Sequence, residues 1–158
     1  MSFRKTLCLV AATAVVPVVL ASQAPPPKHL VNTDKSGLAL QGYDPVAFFT
    51  LNRAAEGKPE LAATHRGVTY RFVSAEHKAT FERAPEKYEP AFGGYCAYGV
   101  SQGGLFEVDI RTAQIVGGRL VLNKNLRVKE MFDQDRENRL RMADREWPKL
   151  VQRHGKGS

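Results

Sequence analysis

Alternation of hydrophobic and polar positions predicts two β-hairpins in this chain. In each hairpin, two short β-type runs are separated by residues typical of a tight turn, Arg66-Gly67 in the first and Gly117-Gly118 in the second. A further alternating run over residues 105–110 predicts another strand just before the second hairpin. The predicted hairpin strands are 61–65 with 68–73, and 113–116 with 119–123.

N-caps and apolar side chains at helical spacing mark the predicted helices. Asp44 followed by Pro45 is an N-cap with proline at the first helical position, and a second helix over 74–83 begins with a capping serine. Residues 125–154 are amphipathic at helical spacing, with Pro148 expected to kink or restart the helix. These elements predict one small α+β domain, in which an antiparallel sheet of two β-hairpins is covered by short helices and a long C-terminal helical segment.

The large aromatic side chains are expected to form a single core. Each lies on the inward face of its predicted element, and aromatic residues contribute strongly to cores. The expected members are Tyr70, Phe72, Phe81, Phe92 and Trp147.

The N-terminal residues have the pattern of an export signal. Arg4 and Lys5 form a short basic region, residues 7–20 are mainly apolar, and cleavage is expected after Ala21. The apolar stretch is shorter than the about 20 residues of a membrane span, so we expect no stable membrane anchor after cleavage, and a periplasmic or secreted protein. The expected divisions are a signal peptide over 1–21, an extended segment over 22–37, the domain over 38–151 and a C-terminal tail over 152–158.

The chain is basic, but its charge pattern argues against nucleic acid as a partner. The formal net charge is +7 and becomes about +5 once Arg4 and Lys5 are removed with the signal. Basic and acidic residues are interleaved along the chain, which is typical of a solvated surface. Export from the cytoplasm also argues against nucleic-acid binding.

Cys96 is the one cysteine that remains after signal cleavage, since Cys8 leaves with the signal. A single thiol cannot close an intramolecular disulfide, so four roles stay open: buried packing, metal ligand, reactive nucleophile or intermolecular bridge. Gly93 and Gly94 precede the cysteine and Gly99 follows it, and such glycines permit close approach of a backbone or a ligand.

Ordered blocks of sequence over residues 42–148 carry a resemblance to a known family. The blocks are GYDPVA at 42–47, YRFVS at 70–74 followed by His77 and Phe81, PEKY at 85–88, FGGYCAYG at 92–99, GRLVLN at 118–123 and ADREWP at 143–148. Together they resemble the bacterial exported proteins of the YHS-domain family over about residues 38–151. That resemblance implies kinship with short metal-binding modules of metal-transporting ATPases and metal-response proteins.

The metal pattern implied by the resemblance is incomplete in this chain. Where the modules have one cysteine after a strand aromatic residue and another at a helix start, this chain has Val73 and His77. Phe132 replaces a frequent tryptophan of the family, and Val121 a frequent tyrosine. Thiolate and imidazole suit copper or zinc, so Cys96 and His77 are the candidate metal ligands.

Further ligands must come from other elements, because the chain has no Cys-x-x-Cys or His-x-x-His spacing. The third metal donor could be His65, Tyr95 or Asp44, and of these we take His65 as the candidate metal ligand. Tyr43, Asp44 and Tyr95 are the candidate contacts to a bound ligand. The hypothesis requires the thiol and the imidazole of His77 to lie side by side.

Three functions stay open from the sequence. The leading one is an exported binding protein that handles a transition metal, copper or zinc, or a small ligand around Cys96 and His77. The alternative is a non-catalytic interaction or accessory domain with a structural buried thiol. The third is a thiol-dependent enzyme, with Cys96 as nucleophile and His77 as base, although no residue is evident as the orienting third group.

Overall fold

The computed structural model describes residues 28–157, so the predicted signal peptide lies outside the described residues. The strands are β1 (Lys28–His29), β2 (Lys58–His65), β3 (Val68–Phe72), β4 (Asp109–Val116), β5 (Arg119–Asn123) and β6 (Lys156–Gly157). The helices are α1 (Pro45–Thr50), α2 (Ala75–Arg83), α3 (Pro85–Tyr88), α4 (Ala97–Ser101), α5 (Leu126–Asp133) and α6 (Arg136–His154), with 3₁₀ turns at Leu40–Gly42 and Ala91–Gly94.

Both predicted hairpins are present, and the α+β fold class is confirmed. β2 pairs with β3 and β4 pairs with β5, each antiparallel, and each pair forms its own two-stranded sheet. A third antiparallel pair, β1 with β6, joins the two ends of the described chain. Isolated bridges connect Leu38 with Thr69 of β3, and Pro90 with Leu120 of β5.

The N-caps predicted for the first two helices are confirmed. Asp44 Oδ1 accepts hydrogen bonds from the N–H groups of Val46 at 2.8 Å and Ala47 at 3.2 Å. Ser74 Oγ accepts one from the N–H of His77 at 3.1 Å. These side chains satisfy donors that have no partner within the first turn of a helix.

The expected strand over residues 105–110 is wrong for residues 105–108, because β4 begins only at Asp109 and continues to Val116. The backbone before β4 packs on and hydrogen-bonds to the α4 region instead. The Phe106 carbonyl accepts a hydrogen bond from the Cys96 N–H at 3.1 Å. The Phe106 ring packs so closely on Gly99 that a Cβ there would collide with it.

The C-terminal helical segment is two helices. α5 ends at Asp133, and α6 begins after Asp135, whose φ of −142° lies outside the helical region. α5 packs on the second hairpin and on α4, whereas α6 packs mainly on α4. α6 then continues through Pro148 to its end, without the restart that the sequence suggested.

Both ends of the described chain take part in the fold. β1 pairs with β6, and the N–H of Asn32 donates to the carbonyl of Gly93 at 2.8 Å. Regular structure therefore begins at β1, earlier than residue 38, at which we expected the domain to begin. The predicted tail over 152–158 contains the last turn of α6 and β6.

The aromatic side chains occupy two clusters, so the expectation of one core is wrong. Tyr70, Phe72 and Phe81 pack together between the first hairpin and α2. Phe92 belongs to a second cluster, against which Trp147 is partly buried. The physical reason is that the two hairpins form separate sheets, with α2 packed on the first hairpin and α4 and α5 packed on the second. A smaller apolar cluster beside them contains Leu40, Phe48, Leu120 and Leu122.

Candidate functional site

Cys96 is buried at the N-terminus of α4, where its sulfur serves as the cap. The residue is 1% exposed. Its Sγ accepts hydrogen bonds from the N–H groups of Gly99 at 3.4 Å and Lys124 at 3.3 Å. The first bond caps α4, and the second ties α4 to the chain just after β5. The sulfur therefore connects two segments of the fold.

The side chain of Asn123, the last residue of β5, lies beside the thiol. Its Oδ1 lies 3.7 Å from the Cys96 Sγ, where it can accept the thiol proton, and it also accepts the N–H of Tyr98 at 3.2 Å. Asn123 is 0% exposed, and its own N–H donates to Thr112 Oγ1 at 2.8 Å. The thiol is thus surrounded by polar groups that themselves hold α4 and the second hairpin together.

His77 lies in the first turn of α2 and is hydrogen-bonded to Asp44. Its Nδ1 is 2.7 Å from Asp44 Oδ2, and the same oxygen accepts the N–H of Val73 at 2.9 Å. Asp44 is 0% exposed, and its other oxygen caps α1. One carboxylate therefore links α1, α2 and the end of the first hairpin.

The second ring nitrogen of His77 faces Thr50. Nε2 is 3.3 Å from Thr50 Oγ1, and that hydroxyl also donates to the Val46 carbonyl at 3.0 Å, one turn earlier in α1. Asp44, His77 and Thr50 form a chain from a buried carboxylate to an exposed residue. Thr50 was not predictable from the sequence, because a threonine at the end of a short helix carries no signal of its own.

His65 belongs to a separate group at the end of β2. Its Nε2 is 3.8 Å from an oxygen of Glu86 and 3.8 Å from one of Glu89, beyond hydrogen-bond distance. Arg66 pairs with each of these carboxylates at 3.2 Å. The Tyr70 hydroxyl donates to Glu89 Oε1 at 3.4 Å. We call His65, Arg66, Tyr70, Glu86 and Glu89 the Glu89 cluster.

Of the three candidate ligand contacts, Tyr43 and Asp44 are adjacent in the chain, and Tyr95 lies apart from them. Tyr43 is half-buried against the small apolar cluster beside α1. Tyr95 is half-buried near Trp147, with ring centres 6.4 Å apart. Burial raises the pKa of Tyr95, and the charge of Glu107 adds to the rise. Tyr95 therefore belongs to the second aromatic cluster, away from the α1 region.

The three candidate metal ligands also occupy separate places. Cys96 is held between α4 and the end of β5, His77 is hydrogen-bonded to the cap of α1, and His65 belongs to the Glu89 cluster. Within residues 28–157, no three His, Cys, Asp or Glu side chains form a group that could hold a metal ion. Cys96 and His77 are not neighbours, contrary to the metal hypothesis, because α2 packs on α1 and the first hairpin whereas α4 packs on the second hairpin and α6.

Because of Tyr70, the free energy of unfolding is expected to fall at alkaline pH. Burial raises the pKa of its hydroxyl well above the usual range, and the charge and hydrogen bond of Glu89 raise it further. The neutral phenol is favoured in the folded state. Its contribution is therefore complete below the unfolded-state pKa of about 10 and is lost as the pH rises above that value.

Tyr70→Phe is expected to flatten the fall in the free energy of unfolding above about pH 10, measured by urea denaturation across a pH series. At neutral pH the substitution should cost about 0.5–1.5 kcal/mol, because Glu89 loses one hydrogen bond. An alkaline decline as steep in the variant as in the wild type would contradict this assignment.

Comparison of the chain with models of protein families, with curated proteins and with solved structures finds no match. The resemblance to YHS-domain proteins stays a prediction from the sequence. In the described part of the chain, no helix is long and apolar enough to cross a membrane. Export and the periplasmic or secreted location stay predictions as well.

Proposed function

We propose that the protein is an exported, non-catalytic binding or accessory domain of the YHS type, in which Cys96 is structural. The observation that supports this proposal is the position of the sulfur. Cys96 is 1% exposed, caps α4 and accepts the Lys124 N–H beside the buried Asn123 side chain. A thiol that holds two segments together in this way is typical of a structural cysteine.

The position of His77 argues in the same direction. Its Nδ1 is engaged by Asp44 and its Nε2 faces Thr50, so both ring nitrogens already have polar partners in the fold. Coordination of copper or zinc through Nε2 requires that nitrogen to leave Thr50, whereas Nδ1 can keep its bond to Asp44. The imidazole also lies away from Cys96, which separates the nucleophile from the base that a thiol-dependent enzyme needs.

Thiol reactivity tests the structural role of Cys96. In the folded protein we expect the thiol to react with an aromatic disulfide reagent only as fast as the protein opens, because the sulfur is 1% exposed. In concentrated urea the same thiol should react at once and provide the full stoichiometric signal. Rapid, complete reaction without denaturant would show an accessible thiol and overturn the proposal.

Metal addition tests the same proposal independently. Zinc or copper(I) should shift the melting temperature of the wild type, Cys96→Ser and His77→Ala by the same amount, because neither residue holds the metal. His154→Ala, at the exposed end of α6, is the matched histidine control. A stabilisation of the wild type that disappears in Cys96→Ser and His77→Ala, but persists in His154→Ala, would restore the metal hypothesis.

A further inference from the structure

A cavity lies between the two aromatic clusters, beneath the first described residues of the chain. Its volume is about 180 Å³, enough for several waters or one small organic molecule. Tyr70 of the first cluster forms one wall, and Phe92 and Trp147 of the second form another. The cavity contains none of Cys96, His77 or the other residues singled out from the sequence as ligand contacts.

Charged groups of both signs line this cavity. Glu89 presents a carboxylate whose side chain is only 16% exposed, held by Arg66 at 3.2 Å and by the Tyr70 hydroxyl at 3.4 Å. Arg66 lines the cavity as well, and its planar fork offers five N–H donors. Lys28 also lines the cavity, with one of its three N–H donors directed to the Gln152 carbonyl at 2.7 Å.

The balance of charge selects the kind of ligand. Lys28 and Arg66 are cations, Glu89 is an anion, and Glu86 places a second carboxylate on Arg66 at 3.2 Å. A ligand with a single charge can pair with groups of only one of the two signs. A zwitterion can place its carboxylate towards the cations and its ammonium towards Glu89, which satisfies both.

Apart from His29, the remaining walls are apolar. Besides Phe92 and Trp147, whose ring centres are 6.1 Å apart, the cavity is bounded by Leu30 and by Val151 of α6. Aromatic and aliphatic walls favour an apolar portion of the ligand, because its burial removes hydrophobic surface from water.

We propose that this cavity binds a small zwitterion with an apolar side chain, such as a free α-amino acid. The inference rests on the proposed function, since it supplies the ligand of a binding domain. In the complex the ligand ammonium donates to Glu89, its carboxylate accepts from Arg66 and Lys28, and its side chain packs against Trp147.

Calorimetric titration of the purified protein with three related probes tests the ligand class. L-phenylalanine has both charges, phenethylamine lacks the carboxylate, and 3-phenylpropionate lacks the ammonium. We expect one site for L-phenylalanine and binding at least about tenfold weaker for each analogue, because each loses a charge-assisted hydrogen bond. Equal binding of either analogue, or no heat and no thermal stabilisation with L-phenylalanine or L-leucine at millimolar concentrations, would overturn the proposal.

Two variants locate the site, with one matched control. Glu89→Gln should weaken L-phenylalanine binding at least about tenfold, whereas Glu86→Gln should weaken it less than about threefold. Both substitutions remove a carboxylate partner of Arg66, but only Glu89 lines the cavity, and the Glu86 side chain is 63% exposed. Equal losses in the two variants would contradict the placement.

Val151→Phe provides a test that does not remove a charge. Val151 is partly exposed on α6, so a larger side chain can fill the cavity while the helix stays folded. We expect L-phenylalanine binding to be lost at an unchanged circular dichroism spectrum, and retained affinity would contradict the site. Failure of these binding tests would overturn the binding site but would not affect the thiol and metal tests of the proposed function. A metal response through Cys96 and His77 would overturn the proposed function but would not affect the binding site.

Discussion

Phe81→Ala is expected to lower the free energy of unfolding by about 3–5 kcal/mol. Phe81 is 1% exposed, and its ring centre lies 4.8 Å from that of Tyr70 and 5.2 Å from that of Phe72. Removing the ring deletes buried apolar surface and leaves a cavity where α2 packs on the first hairpin. Urea denaturation followed by circular dichroism measures the change.

Leu126→Ala is the control for the Phe81 experiment. Leu126 is also a large apolar residue on a helix, but it is 49% exposed. Its truncation should change the free energy of unfolding by no more than about 0.5 kcal/mol, as is usual at surface positions. A Phe81→Ala variant no less stable than Leu126→Ala would show that Phe81 does not lie in the core.

Asp44→Ala is expected to cost about 3–5 kcal/mol, because several buried donors lose their acceptor together. The carboxylate accepts the N–H groups of Val46, Ala47 and Val73 and is hydrogen-bonded to His77 Nδ1. At 0% exposure no water replaces it without rearrangement of the fold. Thermal and urea denaturation at neutral pH measure the loss.

Asn125→Ala is the matched capping control. Asn125 Oδ1 accepts a single N–H, that of Val128 at 2.9 Å, at an exposed helix start, so its loss should cost about 1 kcal/mol. Asp44→Asn keeps one oxygen for the α1 cap but replaces the oxygen that faces His77 and Val73, so its stability should lie between Asp44→Ala and the wild type. An equal loss in the free energy of unfolding for Asp44→Ala and Asn125→Ala would show that Asp44 contributes no more than an ordinary N-cap.

Local features of the fold were predictable from the sequence. Both hairpins have turn residues between alternating strands, and Asp44 and Ser74 are recognisable N-caps. These signals act between residues a few positions apart, since a cap bonds to the next turn and a hairpin turn joins its own strands. The α+β class followed from them. The break at Asp135 did not, because it lies in a run of polar residues, 133–139, that contains no proline or glycine to signal it.

Only the tertiary structure decided which side chains meet. Asp44 and His77 are 33 positions apart, and Asn123 lies 27 positions after Cys96. No periodicity or cap connects such distant residues; their contact depends on which faces of separate elements pack together.

The same dependence on packing explains why Cys96 and His77 lie apart and why the cavity was not predictable from the sequence. The residue types of Cys96 and His77 suited a soft metal, but α2 and α4 pack on different hairpins and hold the two side chains apart. Glu89 carried no signal in the sequence, and it became a candidate ligand contact because β3 and α6 bring Tyr70 and Trp147 to the same cavity. The sequence by itself determined most of the helices and strands and the chemical types of the candidate residues. The packing of the hairpins and helices decided which of those residues form a site, because side chains distant along the chain meet only through that packing.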